Sequence, residues 1–396
     1  MPALRDVVAG PWRAVLVLGV TQILAWGALF YPPVLTLPLI AADRGWSQTF
    51  AMSGLSIALF TAGLFSPRVG KLIDRHGGHR VMPFGSLLGA AGLVLVVLAA
   101  HPVVYLVAWV VIGIAIAASL YDPAFATLGR IFGAGARAPI TALTLAGGLA
   151  SMVSWPVTYV LLQAQGWQGT YLIYAGLLVL VAAPLHFFVL PRTSHDASAH
   201  RATPPTIPAP IVPSTGMTFM LLAAAFATYA FVPSGASAHM ITIFGRYGLD
   251  PAAVIAVGML FGPAQVGARI CELSFGRRLH PLAVARFSGA LLVFGFVTLA
   301  VFGVSLPVIA VFMVLFGMAN GLMTIARGTV PLALFGPVGY GHVMGRIGLP
   351  FLFAQAIAPL ALAFIVERIS DAAALGTLAL LAAISLACFA AIRRPT

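Results

Sequence analysis

Apolar residues recur in runs of about twenty along nearly the whole chain, separated by short polar breaks. The runs cover 13–36, 49–69, 82–99, 103–128, 139–162, 168–190, 217–238, 252–274, 283–304, 307–331, 343–365 and 371–392. A helix rises about 1.5 Å per residue, so roughly 20 apolar residues cross a hydrocarbon core about 30 Å thick. None of the runs alternates with period two, and lipid offers no partner to an open sheet edge. The pattern predicts an all-α polytopic membrane protein with twelve transmembrane helices, here called spans 1 to 12. Composition agrees, with 61% of the 396 residues hydrophobic and 8% charged.

Charge placement sets an expected orientation. Of 21 Lys and Arg residues, 18 fall at the termini, in the loops after even-numbered spans, or on their flanks; Arg44, Arg246 and Arg368 lie on the other side. Positive-inside bias then puts both termini in the cytoplasm; the expected location is the plasma (cell inner) membrane. The net charge of +12 reads as topology and lipid-headgroup attraction. No basic segment carries the interleaved aromatics of a nucleic-acid surface, so nucleic acid is not an expected partner. Cys271 and Cys388 both sit in apolar spans, too few for a disulfide framework or a metal site. No removable leader is expected, because Arg5 precedes a long first span with no A-x-A-like site.

One stretch breaks the pattern. Residues 191–214 read PRTSHDASAHRATPPTIPAPIVPS, a composition that builds no core and predicts a flexible cytoplasmic linker. The expected organisation is a six-helix bundle over 1–190, a linker over 191–215 and a second six-helix bundle over 216–396. At an offset of 203 residues, Gly45 maps onto Gly248, Arg75 onto Arg278, and Pro156 onto Pro359. Matches at one offset predict two pseudo-symmetric parallel repeats, the arrangement of transporters that rock two halves about a midplane site.

Between spans 2 and 3 the chain reads GKLIDRHGGHR from Gly70 to Arg80. Gly70 permits close helix approach, and Gly77-Gly78 permits a tight turn. Asp74 can cap a helix N-terminus or pair with an arginine. This segment resembles the G-x-x-x-D-R-x-G loop of the major facilitator superfamily, departing from it at Gly78 and His79, where that family carries basic residues. The resemblance implies a transporter of two six-helix bundles, with Gly70, Asp74, Arg75, Gly77 and Arg80 as a conformational-switch loop. Gly45-Trp46-Ser47 ahead of span 2 and Arg269 in span 8 are similar to the monocarboxylate and oxalate/formate exchanger branch. The acidic-glycine start of span 1 and the substrate lysine of monocarboxylate transporters are missing, and Lys71 is the only lysine. Drug/proton antiporter signatures are fainter: Trp109 stands where an arginine would precede Gly113, and only Gly147-Gly148 and Trp155-Pro156 echo the span-5 motif.

Polar residues within a bilayer mark function, since a charge at a helix centre costs about 2.5–3.5 kcal/mol. Spans 3, 6, 9 and 12 hold residues such as Ser86, Thr298 and Ser385 in their interiors, which suits the lipid-facing place the resemblance gives them. In the other spans Gln22, Trp26, Ser151, Tyr229, Gln265, Asn320 and Gln355 lie near one depth and are expected to line a substrate cavity. Each is also a candidate for a plain interhelical hydrogen bond, worth about 0.6 kcal/mol. One or two turns toward the cytoplasm comes a charged layer of Asp122, Arg269, Glu272, Arg327 and Arg346, of which Asp122, Glu272, Arg327 and Arg346 are expected in proton coupling or gating. Asp122 and Arg327 are near-equivalents, since 122 plus 203 is 325. Arg269 is the expected anchor for an anionic substrate.

The expected function is secondary active transport of a small solute, an organic anion, by alternating access with coupled protons. Efflux of drugs or other hydrophobic solutes is the alternative. A copper or soft-metal carrier is a narrower one, drawn from 12 Met, with Met217, Met220, His239 and Met240 as ligands; methionine as apolar filler is the better account of them. No Walker loop, H-E-x-x-H or G-x-S-x-G motif occurs, so neither ATP hydrolysis nor enzyme catalysis is expected. No cofactor or metal is expected. The partners are a small-molecule substrate, the lipid bilayer and protons, and the chain is expected to be a monomer.

Overall fold

A computed structural model describes residues 10–192, 216–276 and 279–393. Arg5, Arg201, Arg277, Arg278, Arg394 and all but the first two residues of the 191–215 linker lie outside the described residues. Helices and short connections make up the described chain, with no strand among them. In order the helices are α1 (Arg13–Leu29), α2 (Pro33–Arg44), α3 (Gln48–His76), α4 (Gly78–Leu98), α5 (Pro102–Ser119), α6 (Tyr121–Phe132), α7 (Arg137–Gly148) and α8 (Ala150–Leu177). Two π-helical turns follow, Leu178–Ala182 and Leu185–Val189. Then come α9 (Met217–Arg246), α10 (Pro251–Gly258), α11 (Phe261–Phe275), α12 (Pro281–Phe302), α13 (Leu306–Phe335), α14 (Tyr340–Arg368) and α15 (Asp371–Ala391).

Among the described residues, ten helical runs are long and apolar enough to cross a membrane. One of them, Pro102–Val189, is 88 residues long and contains spans 4, 5 and 6. It breaks at Leu120, at the 3-10 turn Gly133–Ala136 and at Gly166, whose φ of 65° no β-carbon-bearing residue adopts readily. The fold is that of an all-helical, multi-pass membrane protein.

Local chemistry fixes where helices begin. Ser47 accepts from the Phe50 N–H at 3.2 Å to start α3. Asp250 accepts from Ala252 and Ala253 to start α10, and His101 and His280 accept from Val103 and Leu282 at 3.2 Å to start α5 and α12. Proline holds the first helical position after each of the last three caps, where a missing N–H is harmless. The internal repeat reappears in these details. Caps Ser47 and Asp250 differ by 203 positions, as do the positive-φ glycines Gly45 and Gly248, and Gly133 and Gly336. The two halves therefore turn their chains at equivalent places with glycines of positive φ.

Packing divides the helices into two compact units, residues 1–213 with 331–349, and 214–330 with 350–396. The first buries Ala14, Leu18, Met82, Phe125, Leu128, Ile140 and Leu143 together with Tyr340 and Met344 from the start of α14. The second packs Phe226 edge-on against Phe389 at 5.2 Å, and the Ser385 hydroxyl donates to the Ala225 carbonyl at 2.8 Å. Arg286 closes α15 by donating to the carbonyls of Phe389, Ala390 and Ile392, satisfying acceptors that a helix end leaves open.

Candidate transport site and its seam

The sequence suggests a loop from Gly70 to Arg80, and here the structure differs. Gly70 and Asp74 lie in the last turns of α3, Gly77 alone is the joint, and Arg80 sits in the first turn of α4. Gly77 makes the turn possible with a φ of 80°, its N–H returning to the Ile73 carbonyl at 2.8 Å. Arg75 and Arg80 are exposed. A one-residue joint suffices because Gly78 starts α4 against Thr127, where a β-carbon would come within 2.0 Å of the Thr127 hydroxyl.

Within the first unit α3 lies against the start of α14 through small residues. A β-carbon on Gly70 would stand 2.0 Å from the Gly341 carbonyl oxygen, and one on Gly345 would stand 2.2 Å from the Ser66 carbonyl oxygen. The backbones thus touch directly, as small-xxx-small faces allow. Asp74 ends this contact. Its carboxyl group accepts from the Gly341 N–H at 2.9 Å and the His342 N–H at 2.7 Å. Those N–H groups belong to the first turn of a 29-residue helix, where unpaired donors and the helix dipole both favour a carboxylate. Arg130 donates to the Asp74 carbonyl, tying α6 into the same corner. Asp122 completes the seam, with one carboxyl oxygen 2.7 Å from where a Gly348 β-carbon would stand. Ser66, Val69, Gly70, Ala117, Asp122, Pro123, Gly341 and Gly345 line a narrow void there.

Gln22 and Trp26 come together in the same unit. Gln22 is fully buried, donates to the carbonyls of Ser119 at 2.7 Å and Leu120 at 3.3 Å, and accepts from the Trp26 indole N–H at 3.1 Å. The Trp26 ring packs on Tyr121 at 5.2 Å and Tyr31 at 5.9 Å, and Tyr31 in turn approaches Trp155 at 6.5 Å. Trp26, Tyr31 and Ser151 are half-buried, leaving a partly open aromatic face. It offers apolar and stacking contacts to a solute.

The second unit gathers another set. Arg269 on α11 is 2% exposed and donates to the Thr324 hydroxyl of α13 at 3.4 Å; Thr324 donates to the Asn320 carbonyl at 2.8 Å. Glu272 is buried one turn on from Arg269. Tyr229 is buried with its hydroxyl facing Ser288 and within electrostatic reach of Arg269, while the Ser288 hydroxyl itself donates to the Ala319 carbonyl at 2.7 Å. Gln265 stands half-buried one turn before Arg269, and Gly321 packs on its backbone. Gln355 is half-buried and joins this unit through its carbonyl, which accepts from Ser234 at 2.7 Å. Arg327 lies over the Phe351 ring at 3.5 Å, a close cation–π contact. Arg346 is half-buried near the start of α14, in the first unit.

Sequence reasoning passes over His186. In span 6, whose interior reads as bland, it is fully buried on the second π turn, with Nε2 2.8 Å from the Thr21 hydroxyl and Nδ1 3.3 Å from Ser86. A histidine in an otherwise apolar span was the available signal. Nothing in the sequence marks Gly341 and His342 as partners of Asp74, since their role lies in main-chain N–H groups.

The sequence matches the Major Facilitator Superfamily over residues 15–345. The fold is similar to that of the human organic anion transporter MFSD10 (TETRAN), with a TM-score of 0.72 and 18% identity over 98% of this chain and 100% of that one. It is also similar to FucP, a superfamily transporter in its outward conformation, with a TM-score of 0.70 and 13% identity over 96% and 98% of the two chains. No curated protein matches the sequence.

Proposed function

The chain belongs to the Major Facilitator Superfamily and is a multi-pass membrane transporter; from that premise we propose that it is a secondary active transporter moving a small organic anion by alternating access. The observation that carries the substrate class is Arg269. A buried arginine in the inner half of an apolar span is costly, and such residues mark substrate or ion paths. Its guanidinium can hold a carboxylate by two parallel hydrogen bonds. Thr324, Asn320, Gln265 and Tyr229 supply neutral donors and acceptors nearby, and Glu272 is the acid available to compete for Arg269 or carry a proton. Arg269 is buried in this state, so solute reaches it only when α11 shifts, which alternating access provides. The human neighbour of similar fold is itself an organic anion transporter.

Asp74 and Asp122 act as gating groups at the α3–α14 seam, Arg327 and Arg346 as gating cations, and Gln22, Trp26, Ser151 and Gln355 shape the rest of the path. Gly45-Trp46-Ser47 and Arg269 favour the monocarboxylate and oxalate/formate side of the family. Both termini and the linker lie in the cytoplasm, with the protein in the cell inner membrane. The test is an uptake screen in proteoliposomes across small carboxylates, sugars, amino acids and metal ions, with and without a pH gradient. Carboxylate uptake is expected, with Arg269→Lys raising KM at least about tenfold as the fork geometry is lost. Arg269→Lys moving carboxylates with the parent KM would sink the anchor role.

A further inference from the structure

Span 4 is interrupted where α5 gives way to α6. Leu120 leaves helical geometry there with a ψ of −154°, although its own N–H still reaches the Ile116 carbonyl at 3.2 Å. The cause is Pro123. A proline has no N–H, so the carbonyl four residues before it, that of Ser119, loses its helical donor. A bare carbonyl in an apolar interior is unfavourable and must find another donor. Gln22 is that donor, reaching Ser119 at 2.7 Å and Leu120 at 3.3 Å. Its amide nitrogen is thereby engaged, and its oxygen accepts from Trp26 at 3.1 Å.

We propose that Gln22 is a positioning residue of the transport cycle. Its amide replaces the hydrogen bond that Pro123 removes, and so fixes the break in span 4 and the Asp122 carboxyl that stands two residues beyond it. Asp122 faces Gly348 and Ser66 in the seam, so the angle of the break sets how that acid meets α14. Trp26, anchored to Gln22 and packed on Tyr121, links the partly open aromatic face to the same hinge. The inference concerns a hinge and does not depend on which solute is carried.

The second unit repeats the chemistry independently. Pro359 frees the Gln355 carbonyl, and Ser234 donates to it at 2.7 Å; His239 reaches the Pro359 carbonyl at 2.9 Å. Gln22 is on span 1 and Ser234 on span 7, the opening spans of the two repeats. In each case a side chain from the opening span supplies the bond that a proline deletes.

The test is a double-mutant cycle on the full chain in lipid nanodiscs, read by hydrogen exchange over residues 116–127 and by labelling of Asp122 with a hydrophobic carbodiimide. Gln22→Leu keeps the bulk and removes the donors. Exchange at residues 119–124 is expected to rise about tenfold, the scale of one lost buried hydrogen bond, and Asp122 labelling to rise with it. In a Pro123→Ala background the restored N–H serves Ser119, so Gln22→Leu should change neither readout. If Gln22→Leu alone does not fold, the Gln22→Leu/Pro123→Ala double variant should fold. The proposal is overturned if Gln22→Leu leaves exchange unchanged, if its effect is equally large in the Pro123→Ala background, or if the double variant also fails to fold.

Discussion

Asp74 accepts a 2.7 Å hydrogen bond from the main-chain N–H of His342, 268 residues away. The acid on one helix thus caps another helix, whose first-turn donors would otherwise be unpaired.

Asp74→Asn is expected to weaken this corner by about 1 kcal/mol, since an amide offers one acceptor and no charge to the dipole. Membrane insertion should remain normal while transport slows. Uptake in proteoliposomes, together with exchange of the Gly341 and His342 amides, checks both halves. Parent-like uptake with parent-like exchange would remove the gating role.

Gly70→Ala and Gly345→Ala should each destabilise the seam by about 1–3 kcal/mol, because the added carbon lands on a backbone carbonyl that cannot rotate away. Gly376→Ala serves as the control. No atom lies within 4 Å of its new carbon, and it should be neutral or stabilise by up to about 1 kcal/mol. Thermal unfolding of the three variants in detergent gives the ranking, and equal melting temperatures would contradict it.

Ser234→Ala should cost about 1–3 kcal/mol by leaving the Gln355 carbonyl without its donor. Ser237, one turn on, bonds within its own helix to the Ser234 carbonyl, so Ser237→Ala should be nearly silent. Chemical denaturation of the pair separates a specific clasp from general loss of a hydroxyl.

The 18-to-3 division of basic residues predicts cytoplasmic termini. A reporter active only in the cytoplasm should work when fused after Thr396, and one active only outside should not. Activity of the outside reporter alone would reverse the orientation.

Spans and repeats were legible because each rests on local chemistry, whereas the Gly70–Arg80 turn was drawn too long: one residue, Gly77, makes it. Twenty apolar residues or a glycine such as Gly45 carries its meaning within a few positions. The 203-residue offset was visible for the same reason. Gly70 and Asp74 were legible as residue types suited to close approach and capping. Their partner was not, because Gly341 and His342 contribute only backbone. Gln22 shows a second limit. A buried amide at mid-depth suits a cavity wall and an interhelical clasp alike, and only the approach of Gln22 to the Ser119 carbonyl, 97 residues away in sequence, distinguishes them. Arg269 shows a third, since a charge within an apolar span marks it for function but does not say that Thr324 meets it. The packing of Pro331–Leu349 with the first unit depends on contacts far apart in sequence and had no local sign.

Gly341, Gly345 and Gly348 leave a bare strip of main chain where α14 meets α3 and Asp122. Side chains can swivel to absorb a small misfit, whereas peptide planes cannot. A joint of this kind has no compliance: it is seated or it is apart, and a half-open gap leaves peptide dipoles facing nothing. Changes of temperature or lipid should therefore alter how long the strip spends seated, while the seated geometry stays the same.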